Sequence, residues 1–171
     1  MKPLGRECSL FGLGTMRMPT KTVDGKSVMD RDECIRMIRH AIDSGVTYVD
    51  TAYPYHGGES ETVVGLALQD GYRERVALTT KLPVWLVKEP ADVMRFLDEQ
   101  LEKLKTDHVD FYLVHALDRE KWEITKKNGV LDILKQARAE GKIRHIGCSF
   151  HDSYDVFEQI VTAFDWELVQ I

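Results

Sequence analysis

An acid, a phenol, an ammonium and an imidazole stand at the ends of successive apolar runs in this chain of 171 residues. Asp50 closes Val46-Thr47-Tyr48-Val49-Asp50, and Tyr55 follows five residues later. Lys81 ends Val76-Ala77-Leu78-Thr79-Thr80-Lys81, and His115 ends Phe111-Tyr112-Leu113-Val114-His115. Continuous apolar runs of this length fit parallel strands buried on both faces. In a barrel of alternating strands and helices, strand C-termini converge on one face, and active sites form there. The four groups together suit the reduction of a carbonyl. That reaction needs a proton delivered to a developing alkoxide. A free phenol has a pKa of about 10, and a nearby cation stabilises phenolate and eases donation. Tyr55 is the candidate acid, Lys81 the cation, Asp50 the group that holds Lys81, and His115 a hydrogen-bonding partner for the substrate oxygen. Tyr53 lies in the same loop and competes with Tyr55.

Each residue alone has a plainer reading. Asp50 would serve as a turn residue after a strand, Lys81 as a solvated loop lysine, and His115 as a capped structural histidine. The catalytic reading rests on all four occurring together at strand ends. Trp85 and Leu86, just after Lys81, either line a substrate pocket or pack their own loop. His145, Cys148 and His151 have no recognisable metal-ligand spacing, so no metal is expected in this segment.

The elements that must position these groups alternate between strand and helix. Leu10 to Thr15 reads as a first short strand, and Thr20 to Asp30 as a polar loop. Asp30 with Glu33 forms a capping box for a helix whose apolar face is Ile35, Ile38, Ala41 and Ile42. Gly45 ends it. Further strands are predicted at 46–50, 75–80, 109–114, 143–147 and 167–171. Helices are predicted at 59–70, 90–105, 129–140 and 151–163. Six strands alternating with five helices argue for parallel βαβ units in a single α/β domain. The fold class is α/β, of the (β/α)8 TIM-barrel type, incomplete here.

Composition narrows the function classes. The chain is 43% hydrophobic and 30% charged with a formal net charge of −5, which disfavours a nucleic-acid surface. No apolar run approaches the roughly 20 residues of a membrane span. Met1 to Gly5 lacks the apolar centre of a signal peptide. Cys8, Cys34 and Cys148 are an odd, scattered set, as expected of a reducing compartment such as the cytoplasm. Gly12-x-Gly14 is followed by Arg17 where a dinucleotide-binding Rossmann turn has its third glycine, so that motif is absent.

Several motifs, in order, resemble those of the aldo/keto reductase family: Gly12-Leu13-Gly14-Thr15-Met16, Asp50-Thr51-Ala52 with Tyr55 and Gly58-Glu59, Thr80-Lys81, Asp110 to His115, and Gly141 to Ser149. The resemblance covers the whole chain. It implies a catalytic tetrad of Asp50, Tyr55, Lys81 and His115, and favours Tyr55 over Tyr53. It also implies hydride transfer from NADPH to a small aldehyde or ketone. Gly14 and Thr15 would pass the nicotinamide, and Ser149 and Gln170 would bind its carboxamide. Many relatives carry asparagine after that serine, where this chain has Phe150. The runs Tyr53 to Glu61 and Cys148 to Asp152 resemble the branch whose longer members carry a ferredoxin-like iron–sulfur domain. Such a cluster needs grouped cysteines, which this chain lacks, so it concerns only a longer parent.

A closed barrel of this type has eight strands, eight helices and about 250 residues. The sequence therefore reads as the N-terminal portion of one, residues 1–171, with strands one and six as sheet edges. Three arrangements follow: a truncated form of a larger reductase, pairing with another chain that completes the barrel, or an open sheet folding alone. Relatives often place a hairpin before strand one, and Met1 to Ser9 leaves little room for it. The rival function is a non-catalytic cofactor-binding or regulatory protein on the same fold. A weaker third is a phosphate-binding barrel, which gives no reason for Asp50 and Lys81 to accompany Tyr55 and His115.

Overall fold

The computed structural model describes residues 8–171. Six parallel strands form one sheet: β1 (Leu13–Gly14), β4 (Tyr48–Asp50), β5 (Ala77–Leu82), β6 (Val109–Leu117), β7 (Ile143–Phe150) and β8 (Leu168–Gln170), neighbouring in that order. The short strands β2 (Thr20–Val23) and β3 (Lys26–Met29) pair separately as an antiparallel hairpin. Six helices, α1 (Arg31–Asp43), α2 (Ser60–Ala67), α3 (Ala91–Leu104), α4 (Arg119–Lys127), α5 (Val130–Ala139) and α6 (Tyr154–Ala163), complete the fold. Strand order equals chain order, so the sheet is an incomplete (β/α)8 barrel with β1 and β8 as its edges. The question of a hairpin within Met1 to Ser9 falls largely on residues 1–7, outside the described residues.

Strand pleat sorts the side chains into two layers. Val49, Leu78, Tyr112, Val114, Ile146 and Cys148 face the helices and join the main core. Ala77, Phe111 and Leu113 face the barrel interior, with Tyr48 and Leu168 packed against them. Asp50, Lys81, His115, Ser149 and Gln170 share that inward parity, two or four residues further along their strands. The alternation that builds the core therefore also aims these polar groups at one end of the barrel.

The helices form for local reasons that the sequence states. Asp30 accepts a hydrogen bond from the Glu33 N–H at 3.5 Å and caps α1, whose buried Cys34, Ile38 and Ile42 recur every four residues. In α3 the buried residues Val93, Phe96, Leu97, Gln100, Leu101 and Leu104 trace a stripe of three- and four-residue steps. Each fully buried leucine contributes about 2 kcal/mol. α2 and α3 approach so closely at Gly65 that a Cβ there would lie 2.4 Å from the Lys103 carbonyl oxygen. No larger residue fits that crossing, which sets α2 and hence the turn carrying Tyr55.

Three expectations need correction. The stretch 20–30 is not a simple loop: Asp24 and Gly25, both at positive φ, turn the β2–β3 hairpin. Asp-Gly is a strong signal for such a turn. Among the described residues there are six α-helices rather than five, because α4 intervenes after β6. Asp118 caps it, accepting from the Lys121 N–H at 2.8 Å. Strands β6 and β7 run three residues beyond the predicted 109–114 and 143–147, so Ser149 lies within β7 instead of just past it. The extension of β6 contains a bulge. Register shifts between Val114 and Leu117, and Ala116 sits at φ 51°. A bulge re-aims the residues beside it, here His115.

Candidate active site

Lys81 is the centre of the site. It is 1% exposed, an extreme position for a lysine. Its ammonium has three protons and meets three acceptors: Asp50 Oδ2 at 2.7 Å, the Thr51 carbonyl at 3.0 Å and the Tyr55 hydroxyl at 3.3 Å. An ammonium only donates, so the Tyr55 oxygen is the acceptor and its own proton is left for another partner. Burial raises the Asp50 carboxyl above its ordinary range, opposed by the Lys81 charge and hydrogen bond and by the nearby Gln170 amide. Asp50 holds the lysine from the end of β4, whose register places Asp50 beside Gly14 on one side and Thr79 on the other.

Tyr55 begins a short 3-10 turn, Tyr55–Gly58, in the loop that follows β4. The following His56 is at φ 52°, and its Nε2 accepts the Met18 N–H at 3.0 Å, tying the turn to the segment after β1. His115 meets Tyr55 edge-on with ring centroids 5.9 Å apart, and Trp85 tilts against its other side at 5.2 Å. Tyr53 points elsewhere. Its hydroxyl donates to Glu99 at 3.1 Å, and its ring packs edge-on against Phe96. Of the two competing tyrosines, only Tyr55 reaches Lys81.

Tyr55, Lys81, His115, Ser149, His151 and Gln170 line a cleft of about 170 Å³. A wider recess of about 540 Å³, walled by Tyr53, Pro54, Glu59, Trp85 and Leu86 among others, adjoins the loop that carries Trp85. Trp85 packs against His115 and lines this wider recess rather than the cleft of Tyr55 and Lys81. His151 is a wall residue that sequence reasoning considered only as a metal ligand. Its position follows from the length of β7, which no local signal announced. Thr15 is fully buried, and its hydroxyl bonds the Asp50 carbonyl at 3.0 Å and Ser60 Oγ at 2.8 Å. Gly14 has open space where a side chain would be. Among the described residues, no group of three or more His, Cys, Asp or Glu is placed to hold a metal ion.

Burial first, and then the Lys81 charge, push the His115 pKa down to about 3. The imidazole is therefore neutral throughout the physiological range. Unfolded, it takes up a proton near pH 6.5. The unfolded state binds more protons between those values, so His115 contributes a loss of stability as pH falls from about 6.5 towards about 3. Raised Asp50 acts in the opposite sense in its own window, losing stability as pH rises through its folded pKa. A His115→Asn variant isolates the first effect. Urea denaturation at pH 7 and pH 5 should show a smaller acid-side loss than in the parent. An identical loss would show that His115 is not held neutral.

Four buried polar features at this end have unused hydrogen-bonding capacity. Asp50 Oδ1, His115 Nδ1 and Gln170 Oε1 have no partner. Ser149 Oγ accepts the Ala116 N–H at 2.6 Å, which leaves the serine proton free to donate. Buried polar atoms are rarely left unpaired, so a set of them at one end of the barrel calls for a partner such as a water or a ligand.

Residues 11–171 match the aldo/keto reductase family model. Aldo-keto reductase YhdN of Bacillus subtilis is 33% identical over 153 residues, covering 85% of this chain and 44% of that protein. An aldo-keto reductase from Klebsiella pneumoniae, solved in complex with NADPH, superimposes with a TM-score of 0.76 at 30% identity, covering 94% of this chain and 52% of that one. Another from Klebsiella pneumoniae, solved with NADP and acetate, gives a TM-score of 0.69 at 32% identity over 86% of this chain and 47% of that one. The chain spans about half the length of the relatives it matches. With strand order, barrel geometry and sequence in agreement, the chain belongs to the aldo/keto reductase family.

Proposed function

We propose that the site serves NADP(H)-dependent reduction of a small aldehyde or ketone, with Tyr55 as the proton donor. The observation that carries this reading is the ammonium of Lys81, which spends all three protons on Asp50, Thr51 and Tyr55. A cation fixed beneath the phenol stabilises the negative charge left on its oxygen when the proton departs. The charge that develops in the reaction thus has its stabiliser in place beforehand, without reorganisation. Neutral His115 then acts as a hydrogen-bonding group towards the substrate oxygen, not as a cationic acid. Asp50 keeps the ammonium oriented.

The cofactor part of the proposal rests on complementarity. A nicotinamide carboxamide offers one acceptor and two donors. The Ser149 proton and the Gln170 amide present matching partners in the same cleft. When bound, the nicotinamide supplies or accepts the hydride. Gly14 leaves room beside Asp50 for a flat ring, while Thr15 contributes by holding the Asp50 main chain. The relatives solved with NADPH and NADP support this choice of cofactor. The cytoplasm is the proposed location. No helix among the described residues is long and apolar enough to cross a membrane.

Titration with NADPH, followed by tryptophan quenching, tests the cofactor assignment. Saturable binding is expected, followed by loss of nicotinamide absorbance when a small aldehyde is added. Binding without turnover would favour the non-catalytic reading. Absence of binding would remove the cofactor assignment for this chain.

A further inference from the structure

A second polar cluster lies directly behind Lys81, on the helix-facing side of β5. Glu61 of α2 is completely buried. Its Oε1 accepts from the Thr80 hydroxyl at 2.6 Å and from Gln100 Nε2 at 2.5 Å. The same Gln100 nitrogen donates to the Lys81 carbonyl at 3.0 Å. Tyr112 of β6 donates to Gln100 Oε1 at 2.6 Å. That last bond fixes the amide's orientation. Turned over, Gln100 would set its oxygen against both Glu61 and the Lys81 carbonyl. Lys103 approaches Glu61 Oε2 from the partly exposed side, at 3.8 Å.

The cluster supplies something the sheet does not. The β4–β5 ladder ends at the pair Asp50 and Thr79. The Thr79 carbonyl still accepts the Thr51 N–H at 2.9 Å. Lys81, two residues on, directs its carbonyl to the same side, where the chain has already turned away towards Tyr55. Gln100 takes the place of the missing strand partner. We propose that Glu61, Gln100 and Tyr112 are positioning residues that hold the Lys81 main chain from behind, so that its ammonium stays on Asp50 and Tyr55. The proposal rests on the reading of Lys81 as the partner of an acid at Tyr55. It adds a support that touches neither substrate nor cofactor. A buried carboxylate and amide are a costly way to fill a helix–sheet interface that apolar residues fill elsewhere in this fold.

The test is nuclear magnetic resonance of the protein labelled with 15N-lysine, read at the Lys81 ammonium, with turnover measured in parallel. Gln100→Leu removes the support, and Tyr112→Phe removes only the bond that orients the amide. Leu134→Ala, in the α5 core, is the control for lost stability. Ammonium proton exchange at Lys81 should quicken about tenfold in Gln100→Leu, the scale of one lost hydrogen bond. It should quicken less in Tyr112→Phe and remain unchanged in Leu134→Ala. The kcat should fall in the same order, with NADPH binding unchanged. If both network variants exchange no faster than the Leu134→Ala control, the positioning role is overturned. Should Gln100→Leu not fold, Tyr112→Phe decides by itself. Full turnover in Tyr55→Phe would remove the acid assignment instead, and the exchange measurement would still report on the network.

Discussion

Tyr55→Phe should cut turnover by orders of magnitude while leaving both the fold and NADPH binding intact. The hydroxyl accepts one hydrogen bond, from Lys81 at 3.3 Å. Its loss leaves Asp50 and the Thr51 carbonyl to hold the ammonium. The ring still meets His115 edge-on, so the wall of the cleft survives. Only the transferable proton disappears. A positioned general acid contributes about 10²- to 10⁴-fold, so kcat should fall by that much. Tyr53→Phe is the matched control. That hydroxyl donates to Glu99 on the helix-facing side, and its loss should leave kcat unchanged. The pair is read by nicotinamide absorbance with a small aldehyde. If the two variants behave alike, the assignment of Tyr55 as the acid fails.

Lys81→Met should have the larger effect on stability. Lys81 and Asp50 are 1% and 6% exposed, and they neutralise each other at 2.7 Å. Removing one member strands the other without its counter-charge, a change that costs about 3–5 kcal/mol. The Thr51 carbonyl loses its ammonium donor as well. Asp50 would respond by keeping its proton to higher pH, so the deficit relative to the parent should shrink as pH falls into the carboxylate range. Asp50→Asn with Lys81→Met should cost less than the two single changes added together, because no lone charge is left buried. Urea denaturation of all four proteins across pH measures this cycle. Additive losses would mean that the two groups do not act as a pair. Turnover should be lost in Lys81→Met whatever the pH, since nothing then stabilises the phenolate.

Much of this architecture is legible in the sequence because short-range rules govern it. Runs such as Phe111 to His115 fit strands covered on both faces, and their spacing sets Asp50, Lys81 and His115 at strand ends. The Asp30 cap and the α3 stripe give their helices away by spacing alone. The hairpin at 20–29 was equally open to reading through Asp24-Gly25. Its strands, however, are short and mostly exposed, with no apolar alternation to announce them.

Other features were decided only by tertiary contact. The bulge at Ala116 has no glycine to mark it, and its positive φ is held by register against β7 and by the hydrogen bond to Ser149. The choice between Tyr53 and Tyr55 depends on which side of the sheet each ring reaches, and spacing along one loop does not specify that. His151 enters the cleft because β7 runs longer than its apolar pattern suggests. Glu61 and Gln100 read as ordinary polar positions on two helices. They become a buried pair only when α2 and α3 close at Gly65 and bring both over Thr80 and Lys81. The sequence by itself determined the alternation of strands and helices and the placing of the reactive residues at strand ends, since local pattern suffices for each. The tertiary structure decided which groups touch and which buried polar atoms are left unpaired, because those depend on distances between segments far apart in the chain.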